Sequence, residues 1–256
     1  MIKILREYIN YKLNAKGRHG VHSPFVYGLV DQALRTKSHK NVYKRFKNYK
    51  KRLRNDSSTI NVNDLGAGSK KLSKQRKIQD IARISGSSRK YGKLLFKLVN
   101  HYEPKTILEL GTSLGLGTFM LVNGNPKSKI ITIEGCRQTS AIAQKMHKKF
   151  ESKNVEFVVN DFASYLKHYS GSKFDFIFID GDHRGDKLIK TLDQLNDHIH
   201  DETILFLDDI RWSKDMLKTW NDLTLDERYH LSIDFFQMGL LMPRKHQEKE
   251  HFVIDY

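Results

Sequence analysis

A glycine-rich turn between an apolar run and a helical run constrains this chain more than any other stretch. Residues 106–110 form the apolar run and contain an acid, and glycines follow at Gly111, Gly115 and Gly117. Residues 119–122 then have the composition of a helix start. A strand, a glycine turn and a helix in this order present backbone N–H groups to a nucleotide-like ligand. The stretch therefore predicts an α/β fold with a ligand site at this turn.

Strand and helix patterns alternate from residue 104 onward. Residues 174–179 and 203–207 are apolar on both faces, as buried parallel strands are. Strands are predicted at 106–110, 129–134, 155–159, 174–180 and 203–208, and helices at 115–123, 137–150, 161–169, 185–198 and 213–222. In the tail, the runs 230–236, 238–242 and 252–254 predict an antiparallel hairpin on one sheet edge. The fold class is α/β: a Rossmann-like, doubly wound, mostly parallel sheet with a C-terminal antiparallel hairpin and an N-terminal helical extension.

The length of 256 residues accommodates one α/β domain and an extension. We predict a mainly helical, basic extension over residues 1–85 and a ligand-binding domain over 86–256. Within the extension, Ser23 and Pro24 predict the start of a helix that ends near residue 34. Residues 37–56 read as a basic helix or a mobile arm, and residues 75–84 as a short helix.

Positive charge is concentrated in the N-terminal part of the chain. Residues 1–100 contain 25 Lys and Arg but 5 Asp and Glu, whereas residues 101–256 contain 20 and 24. One interpretation is a patch for nucleic acid, anionic lipid or an acidic substrate. The other is a solvated surface, since no DNA- or RNA-binding motif accompanies the charge.

Several classes of protein are excluded by composition. No stretch approaches 18 consecutive apolar residues, so no membrane span is expected. The first residues are charged too early for a signal peptide. The single Cys136 excludes an internal disulfide framework and a cysteine metal cage. A cytoplasmic protein is the simplest expectation.

Polar residues follow four more of the predicted strands, where an open α/β sheet binds its ligands. A carboxylate at the end of the second strand can accept both hydroxyls of a ribose. An acid and an aromatic ring after the third can bind and stack an adenine. Each acid alone could instead be a helix cap. The residues are Glu134, Asn160-Asp161-Phe162, Asp180-Gly181-Asp182-His183 and Asp208-Asp209.

Two other motifs compete with this site. Residues 63–69 imitate an acid–glycine turn, but a short, weakly apolar run precedes them and a basic run follows. We interpret them as an ordinary turn. The pair His19 and His22 lacks a third ligand nearby, so a metal site there is not expected.

Segment 86–211 resembles the class I S-adenosylmethionine-dependent methyltransferases, specifically the catechol-type O-methyltransferase group. Residues 107–115, ILELGTSLG, look like that group's first motif, and Glu134 matches its ribose-binding acid. Residues 174–180, FDFIFID, match its F-D-x-[IV]-F-[IL]-D strand. Leu207-Asp208-Asp209 stands where the group has A-D-N, and Tyr91-Gly92-Lys93 at its K-G-x position.

The resemblance implies S-adenosylmethionine as the cofactor and a divalent metal, usually Mg²⁺. The implied metal ligands are Asp180, Asp208 and Asp209, a set of oxygen donors that suits a hard ion. The group's lysine base falls at His183, and we predict His183 and Asp180 as catalytic residues. The predicted cofactor-binding residues are Gly92, Glu109, Gly111, Thr112, Ser113, Gly115, Gly117, Glu134, Gly135, Asp161, Phe162 and Asp180.

Two departures from the group concern the substrate. Asp209 replaces an asparagine and His183 replaces a lysine, so catechol itself is not the expected acceptor. We predict methylation of a hydroxyl on a small molecule; oligomeric state is left open. The alternatives are an RNA or protein methyltransferase that uses the basic region, or an inactive cofactor-binding protein. An NAD(P)-dependent dehydrogenase fits less well, because Gly111, Gly115 and Gly117 lack the G-x-G-x-x-G spacing.

Overall fold

An eight-stranded sheet organises the chain in a computed structural model that describes residues 2–16, 22–36, 39–63, 75–84 and 89–256. Two short strands, β1 (Thr59–Asn61) and β2 (Gln75–Lys77), form a separate antiparallel pair. The first five strands of the main sheet are β3 (Thr106–Leu110), β4 (Lys129–Glu134), β5 (Val155–Val159), β6 (Phe174–Ile179) and β7 (Ile199–Leu207). They are parallel and lie in the order β5-β4-β3-β6-β7.

The order of these strands reverses between β3 and β6. The chain runs outward from β3 through β4 to β5, then returns so that β6 pairs with the other side of β3. In doubly wound sheets this switch point is where ligands bind, beyond the carboxyl ends of the strands. The predicted Rossmann-like fold class is confirmed, and the predicted glycine turn lies at the switch point.

The C-terminal strands extend the sheet beyond β7. β8 (Leu231–Asp234) and β9 (Gly239–Met242) form the predicted antiparallel hairpin, with β9 antiparallel to β7. β10 (Glu250–Val253) differs from a simple hairpin because it pairs parallel to β8 at the edge. The N-terminal segment covers that edge: the hydroxyl of Tyr11 donates to the carbonyl of Ile254 at 2.5 Å, and Lys16 forms a bridge with Ile254.

Helices cover both faces of the sheet. The N-terminal ones are α1 (Ile2–Asn14), α2 (Pro24–Gly28) with a following π-helical turn (Leu29–Leu34), α3 (Lys40–Arg54), α4 (Ile78–Ile84) and α5 (Arg89–Tyr102). The later ones are α6 (Leu116–Gly124), α7 (Arg137–Lys149), α8 (Phe162–His168), α9 (Gly185–Leu195) and α10 (Lys214–Leu225). No helix of the described ranges is long and apolar enough to cross a membrane.

Alternate strand residues supply two cores, as the period of two in a strand requires. Ile107, Phe176 and Phe206 face one side, where they pack with α3, α5 and α6. Leu108 and Ile177 face the other, together with α8, α9 and α10. The sheet is therefore the middle layer of three.

The N-terminal extension belongs to the first of these cores. Buried side chains of α2, the π-helical turn and α3, such as Val26, Leu29 and Tyr49, share a cluster with Phe119 and Phe206. The predicted boundary at residue 85 falls outside the described residues. So do His19 and most of the competing turn at 63–69. Residues 75–77 are a strand rather than part of the predicted short helix, since they pair with β1.

Candidate functional site

A cavity of about 600 Å³ opens at the carboxyl ends of β3, β4, β5 and β6. Seven of the residues predicted to bind a cofactor line it, each at the carboxyl end of one of these strands or just after it. They are Gly111, Ser113, Glu134, Gly135, Asp161, Phe162 and Asp180. The switch point thus brings four separate sequence segments around one space large enough for a cofactor.

The turn after β3 is shaped by Gly111. Its φ is +108°, and a Cβ there would lie 2.1 Å from the backbone oxygen of Asp180. The amide of Asp180 also donates to the carbonyl of Leu110 at 2.9 Å. Glycine is therefore required for both the conformation and the close approach of the loops after β3 and β6.

Glu134 connects the end of β4 to the glycine turn. One carboxylate oxygen accepts from the amide of Ser113 at 2.7 Å, and the other accepts from the amide of Cys136 at 2.9 Å. An ionised carboxylate is an acceptor only, with about four lone-pair positions on its two oxygens. Glu134 can therefore receive hydroxyl groups from a ligand while its position stays fixed by the backbone.

Asp161 and Phe162 form the wall after β5. Asp161 is the N-cap of α8 and accepts from the amide of Ser164 at 2.8 Å, and this hydrogen bond lowers its pKa. The helix-cap interpretation of Asp161 is therefore correct, and the residue also lines the cavity. The ring of Phe162 packs so closely over Gly181 that a Cβ there would lie 2.9 Å from it.

Five other predicted cofactor-binding residues lie outside the cavity lining: Gly92, Glu109, Thr112, Gly115 and Gly117. Their neighbours are protein atoms. Thr112 is bonded to Thr132 through their hydroxyls at 2.5 Å, and Gly92 packs against Met120 and Phe46. These residues shape the turn and pack around it. Because they do not line the cavity, the structure does not support the prediction that they contact a cofactor directly.

Gly115 and Gly117 have packing roles of their own. Gly115 has a φ of +78°, and a Cβ there would lie 2.7 Å from the hydroxyl of Tyr49. A Cβ at Gly117 would lie 2.6 Å from Oε1 of Glu109. Both glycines therefore let α6 begin close to neighbouring side chains.

Glu109 is completely buried under this turn. Oε2 accepts from the hydroxyls of Thr118 and Thr132, while Oε1 has no hydrogen-bond partner within the described residues. Burial raises the pKa of Glu109 to about 8, although the two threonine bonds act in the opposite direction. Its carboxyl group is therefore neutral through most of the physiological range.

The acids after β6 and β7 gather around His183. Nε2 of His183 lies 3.9 Å from Oδ1 of Asp180 and 3.8 Å from Oδ2 of Asp209. The ring centroid of Trp212 lies 5.9 Å from that of His183. Asp209 has a φ of +53°, a conformation that is uncommon outside glycine and is often held at functional sites.

The acids of this group and His183 also have shifted pKa values. Burial raises the pKa of Asp180 well above its usual range, and Asp208 and Asp209 raise it further. Burial and Asp209 raise the pKa of Asp208 to about 7. Burial lowers the pKa of His183, with Asp209 opposing the shift. Neutral imidazole is thus favoured, and a proton that arrives on it would be stabilised by the nearby carboxylate of Asp209.

The described residues do not form a complete coordination site for the predicted magnesium ion. Among the residues that the structure describes, no set of three or more His, Cys, Asp or Glu side chains could hold a metal ion. Asp180 and Asp208 interact through their side chains, and burial is the largest cause that raises the pKa of each. The three predicted ligands, Asp180, Asp208 and Asp209, are close in the fold, but the metal does not follow from their arrangement.

The N-terminal part closes the cavity in a way that sequence reasoning missed. Val62, Asn63, Arg76 and Ile81, from the β1 and β2 region and α4, complete the lining. These residues belong to no recognisable sequence motif, and they lie far from the glycine turn along the chain. Nothing in the sequence therefore indicated that they line the cavity. Lys187 and Lys190 of α9 line the cavity too and were equally unmarked.

Residues 108–210 match a family model described as a methyltransferase domain. Catechol O-methyltransferase of Mycobacterium tuberculosis is 30% identical over 105 residues, which are 40% of this chain and 47% of that protein. Ribosomal RNA small subunit methyltransferase A of Ehrlichia chaffeensis is 41% identical over 56 residues, 22% of this chain and 20% of that protein. The chain thus aligns with less than half the length of either relative.

A solved structure shares the fold at low identity. The S-adenosylhomocysteine (SAH)-bound methyltransferase PaMTH1 of Podospora anserina superposes with a TM-score of 0.55 and 18% identity, over 81% of this chain and 97% of that one. This likeness is one of fold alone. The family model and the identity with catechol O-methyltransferase confirm that the segment resembles S-adenosylmethionine-dependent O-methyltransferases.

Proposed function

We propose that this chain, with its methyltransferase domain at residues 108–210, uses S-adenosylmethionine to methylate a hydroxyl group of a small molecule. One observation carries the proposal. The cavity at the switch point has Glu134 on one side and Asp161 with Phe162 on another, and Asp180 joins it to the group around His183. A donor pocket and a proton acceptor therefore adjoin each other.

The cofactor would be held by groups with matching chemistry. Glu134 would accept the two ribose hydroxyls, as a carboxylate at the end of the second strand can. Asp161 would accept from the adenine amino group, beside the ring of Phe162. The glycine turn lets the cofactor approach the backbone at Gly111 without meeting a side chain. The sulfonium end would then point toward Asp180.

His183 would remove the proton of the acceptor hydroxyl. In the reaction, a bond forms between the acceptor oxygen and the methyl carbon as the bond from that carbon to sulfur breaks. The electron pair of the broken bond remains on sulfur, and its positive charge disappears. The hydroxyl proton passes to Nε2 of His183, where Asp209 stabilises the imidazolium. The exposed ring of Trp212 lies beside this path and would contact the acceptor.

Magnesium assistance is a separate proposal that rests on the resemblance and on the gathering of Asp180, Asp208 and Asp209. A bound divalent ion would polarise the acceptor oxygen when present. If a metal is required, EDTA abolishes methyl transfer and Mg²⁺ restores it. Undiminished transfer in EDTA would reject the metal and leave the base mechanism standing.

A second function, RNA methylation, is favoured by the basic N-terminal residues and by the 56-residue match to a ribosomal RNA methyltransferase. Against it, Asp180-Gly181-Asp182-His183 follows β6, where base-methylating enzymes carry an N-P-P-Y type motif.

A cytoplasmic location stays a prediction from cysteine content. A catalytically inactive cofactor-binding protein would bind the cofactor and transfer nothing.

The test is transfer of labelled methyl from S-adenosylmethionine to a panel of phenols, alcohols and RNA. We expect wild-type protein to methylate a hydroxyl-bearing small molecule. His183→Asn should lower the turnover number about 10²- to 10⁴-fold, the range for loss of a general base, with cofactor affinity unchanged. His168→Asn, at an exposed histidine of α8, is the matched control. Equal rates in both variants would refute the role of His183, and labelling of RNA alone would favour the second function.

A further inference from the structure

A second cavity, of about 760 Å³, lies beside α5 and is separate from the cofactor site. We call it the basic pocket. Its lining contains four cationic side chains and no acidic one. The lining residues are Arg35, Thr36, Tyr43, Lys90, Lys93, Lys97 and Tyr256.

Three of the cations form a row on one helix. Lys90, Lys93 and Lys97 are spaced three and four residues apart on α5, so they share a face. With a rise of 1.5 Å per residue, the row is about 10 Å long. It begins in the first turn of the helix, where the helix dipole is also positive. The row therefore creates a positive electrostatic potential, and α5 contains no acidic residue that would offset it.

The cations of the basic pocket lack carboxylate partners. In the part of the chain that the structure describes, no Asp or Glu oxygen lies within ion-pair distance of Arg35, Lys90, Lys93 or Lys97. Among charged groups, Asp255 acts most strongly on Lys90 and raises its pKa, against the larger effect of burial. That carboxylate is already engaged by the ammonium of Lys12 at 2.6 Å.

Aromatic rings and one carbonyl hold the lysines in place instead. The ammonium of Lys93 lies 4.7 Å from the ring centroid of Tyr43, and that of Lys97 lies 5.3 Å from the ring of Tyr256. Lys97 also donates to the carbonyl of Leu34. The hydroxyl of Tyr43 is buried and has no hydrogen-bond partner among the described residues.

Holding these cations together is unfavourable in the absence of an anion. Burial lowers the pKa of Lys97, and repulsion from Lys93 lowers it further. Burial also lowers the pKa of Lys90, with a smaller contribution from Lys12. An anion that contacted the row would relieve this repulsion.

We propose that the basic pocket binds a ligand with two or more phosphoryl groups in succession. A row of about 10 Å is longer than one phosphate needs and spans several, and lysines bind phosphate as point charges. Such a chain of phosphates occurs in small oligophosphates and in the backbone of a nucleic acid. The proposal does not rest on methyl transfer, since no residue of the basic pocket lines the cofactor cavity.

The experiment measures two probes against the full-length protein. Inorganic tripolyphosphate is titrated by calorimetry, and a labelled single-stranded oligonucleotide is titrated by fluorescence anisotropy, at 50 and 200 mM salt. The test variant is Lys90→Gln with Lys93→Gln. The control is Lys153→Gln with Lys245→Gln, which removes the same charge from exposed positions outside the pocket. A third protein, Arg35→Gln, changes one exposed pocket residue and leaves α5 intact.

We expect the test variant to lose at least tenfold in affinity for one or both probes, and the control to lose less than twofold. Loss for tripolyphosphate alone identifies a small oligophosphate, and loss for the oligonucleotide alone identifies a nucleic-acid backbone. No binding of either probe at 50 mM salt, or equal losses in the test and control variants, would overturn the proposal. SAH affinity should be the same in all three proteins, which separates this result from a failure of the methyltransferase proposal.

Discussion

Two glutamates near the glycine turn differ in what their surroundings let them do. Glu134 sits at the cavity wall, where backbone amides of Ser113 and Cys136 hold its carboxylate. Glu109 lies one strand away, fully buried, with one oxygen unpaired within the described residues. Glu134 is therefore placed to bind a ligand, whereas Glu109 affects the stability of the fold.

Replacing Glu134 by glutamine should weaken binding of SAH. Hydrogen bonds to a charged group contribute about 1.5–3 kcal/mol, so the expected loss is roughly 10- to 100-fold. Calorimetric titration measures it, and unfolding midpoints check that the turn is intact. Glu156→Gln, at an exposed glutamate of β5, should bind SAH as wild type does. Equal affinity in the two variants would remove Glu134 from the ligand site.

Replacing Glu109 by glutamine should change how stability depends on pH. Its pKa is raised from 4.5 to about 8 in the folded protein, so between these values the native state binds more protons than the unfolded chain. Stability from this residue is therefore fully present below about pH 4.5 and is lost as pH rises through 8. The loss amounts to a few kcal/mol for a completely buried acid.

Urea unfolding of wild type and Glu109→Gln at pH 5, 6.5 and 8 measures this effect. The free energy of unfolding should fall more steeply with pH in wild type than in the variant, because glutamine does not titrate. Thr118 and Thr132 keep an oxygen acceptor in the variant, so the fold should persist. Parallel pH profiles would mean that Glu109 is not protonated in the native state.

Among the elements, the strand–turn–helix unit of β3 and α6 depends on glycines that contact no ligand. At Gly117 a Cβ would meet Oε1 of Glu109 at 2.6 Å and the ring of Phe178 at 2.9 Å. Both neighbours are buried and cannot withdraw easily. The glycine spacing that suggested a ligand loop thus reflects, at this position, the packing of a helix against a strand.

Gly117→Ala should destabilise the protein by about 1–3 kcal/mol, the usual effect of overpacking a dense core. The matched substitution is Gly28→Ala, since a Cβ at Gly28 meets nothing within 4 Å and its backbone is helical. That change should stabilise by about 0.5–1 kcal/mol. Denaturant unfolding of both variants measures the difference, and a neutral Gly117→Ala would show that α6 can shift away from β3.

The sequence predicted best those strands that polar or glycine residues bound on both sides. The strands at 106–110, 129–134 and 155–159 have the predicted bounds, because apolar runs that end at polar residues mark them on both sides. β7 begins at Ile199 instead of residue 203, since its first residues are partly polar and pair only at the sheet's margin. The parallel pairing of β10 with β8 was not predicted, because the apolar runs of the tail indicated only an antiparallel hairpin.

In the candidate site, the sequence predicted the residues with polar or aromatic side chains that lie at or just after the end of a strand. Glu134, Asp161, Asp180 and His183 were identified because their residue types at those positions are informative. The wall from the β1 and β2 region, including Arg76, was not, since tertiary packing alone brings it to the cavity. The metal prediction went beyond what the side chains of the described residues support.

Across the whole molecule, the N-terminal extension is a layer of the core. Phe46, Tyr49 and Leu53 of α3 are buried in one cluster with Phe119 of α6. A fragment of residues 89–256 would expose that face of the sheet to water. We expect the fragment to lack a cooperative unfolding transition and to bind the dye ANS. A sharp transition with native near-ultraviolet circular dichroism would show that residues 86–256 fold as an independent domain.

In the proposed function, the cavity at the switch point holds the methyl donor next to His183. A crystal structure of the protein with SAH would locate the donor. We expect ribose hydroxyls on Glu134, adenine beside Asp161 and Phe162, and the sulfur directed toward Asp180 and His183. SAH bound elsewhere, or bound with its sulfur facing away from His183, would refute the proposed site.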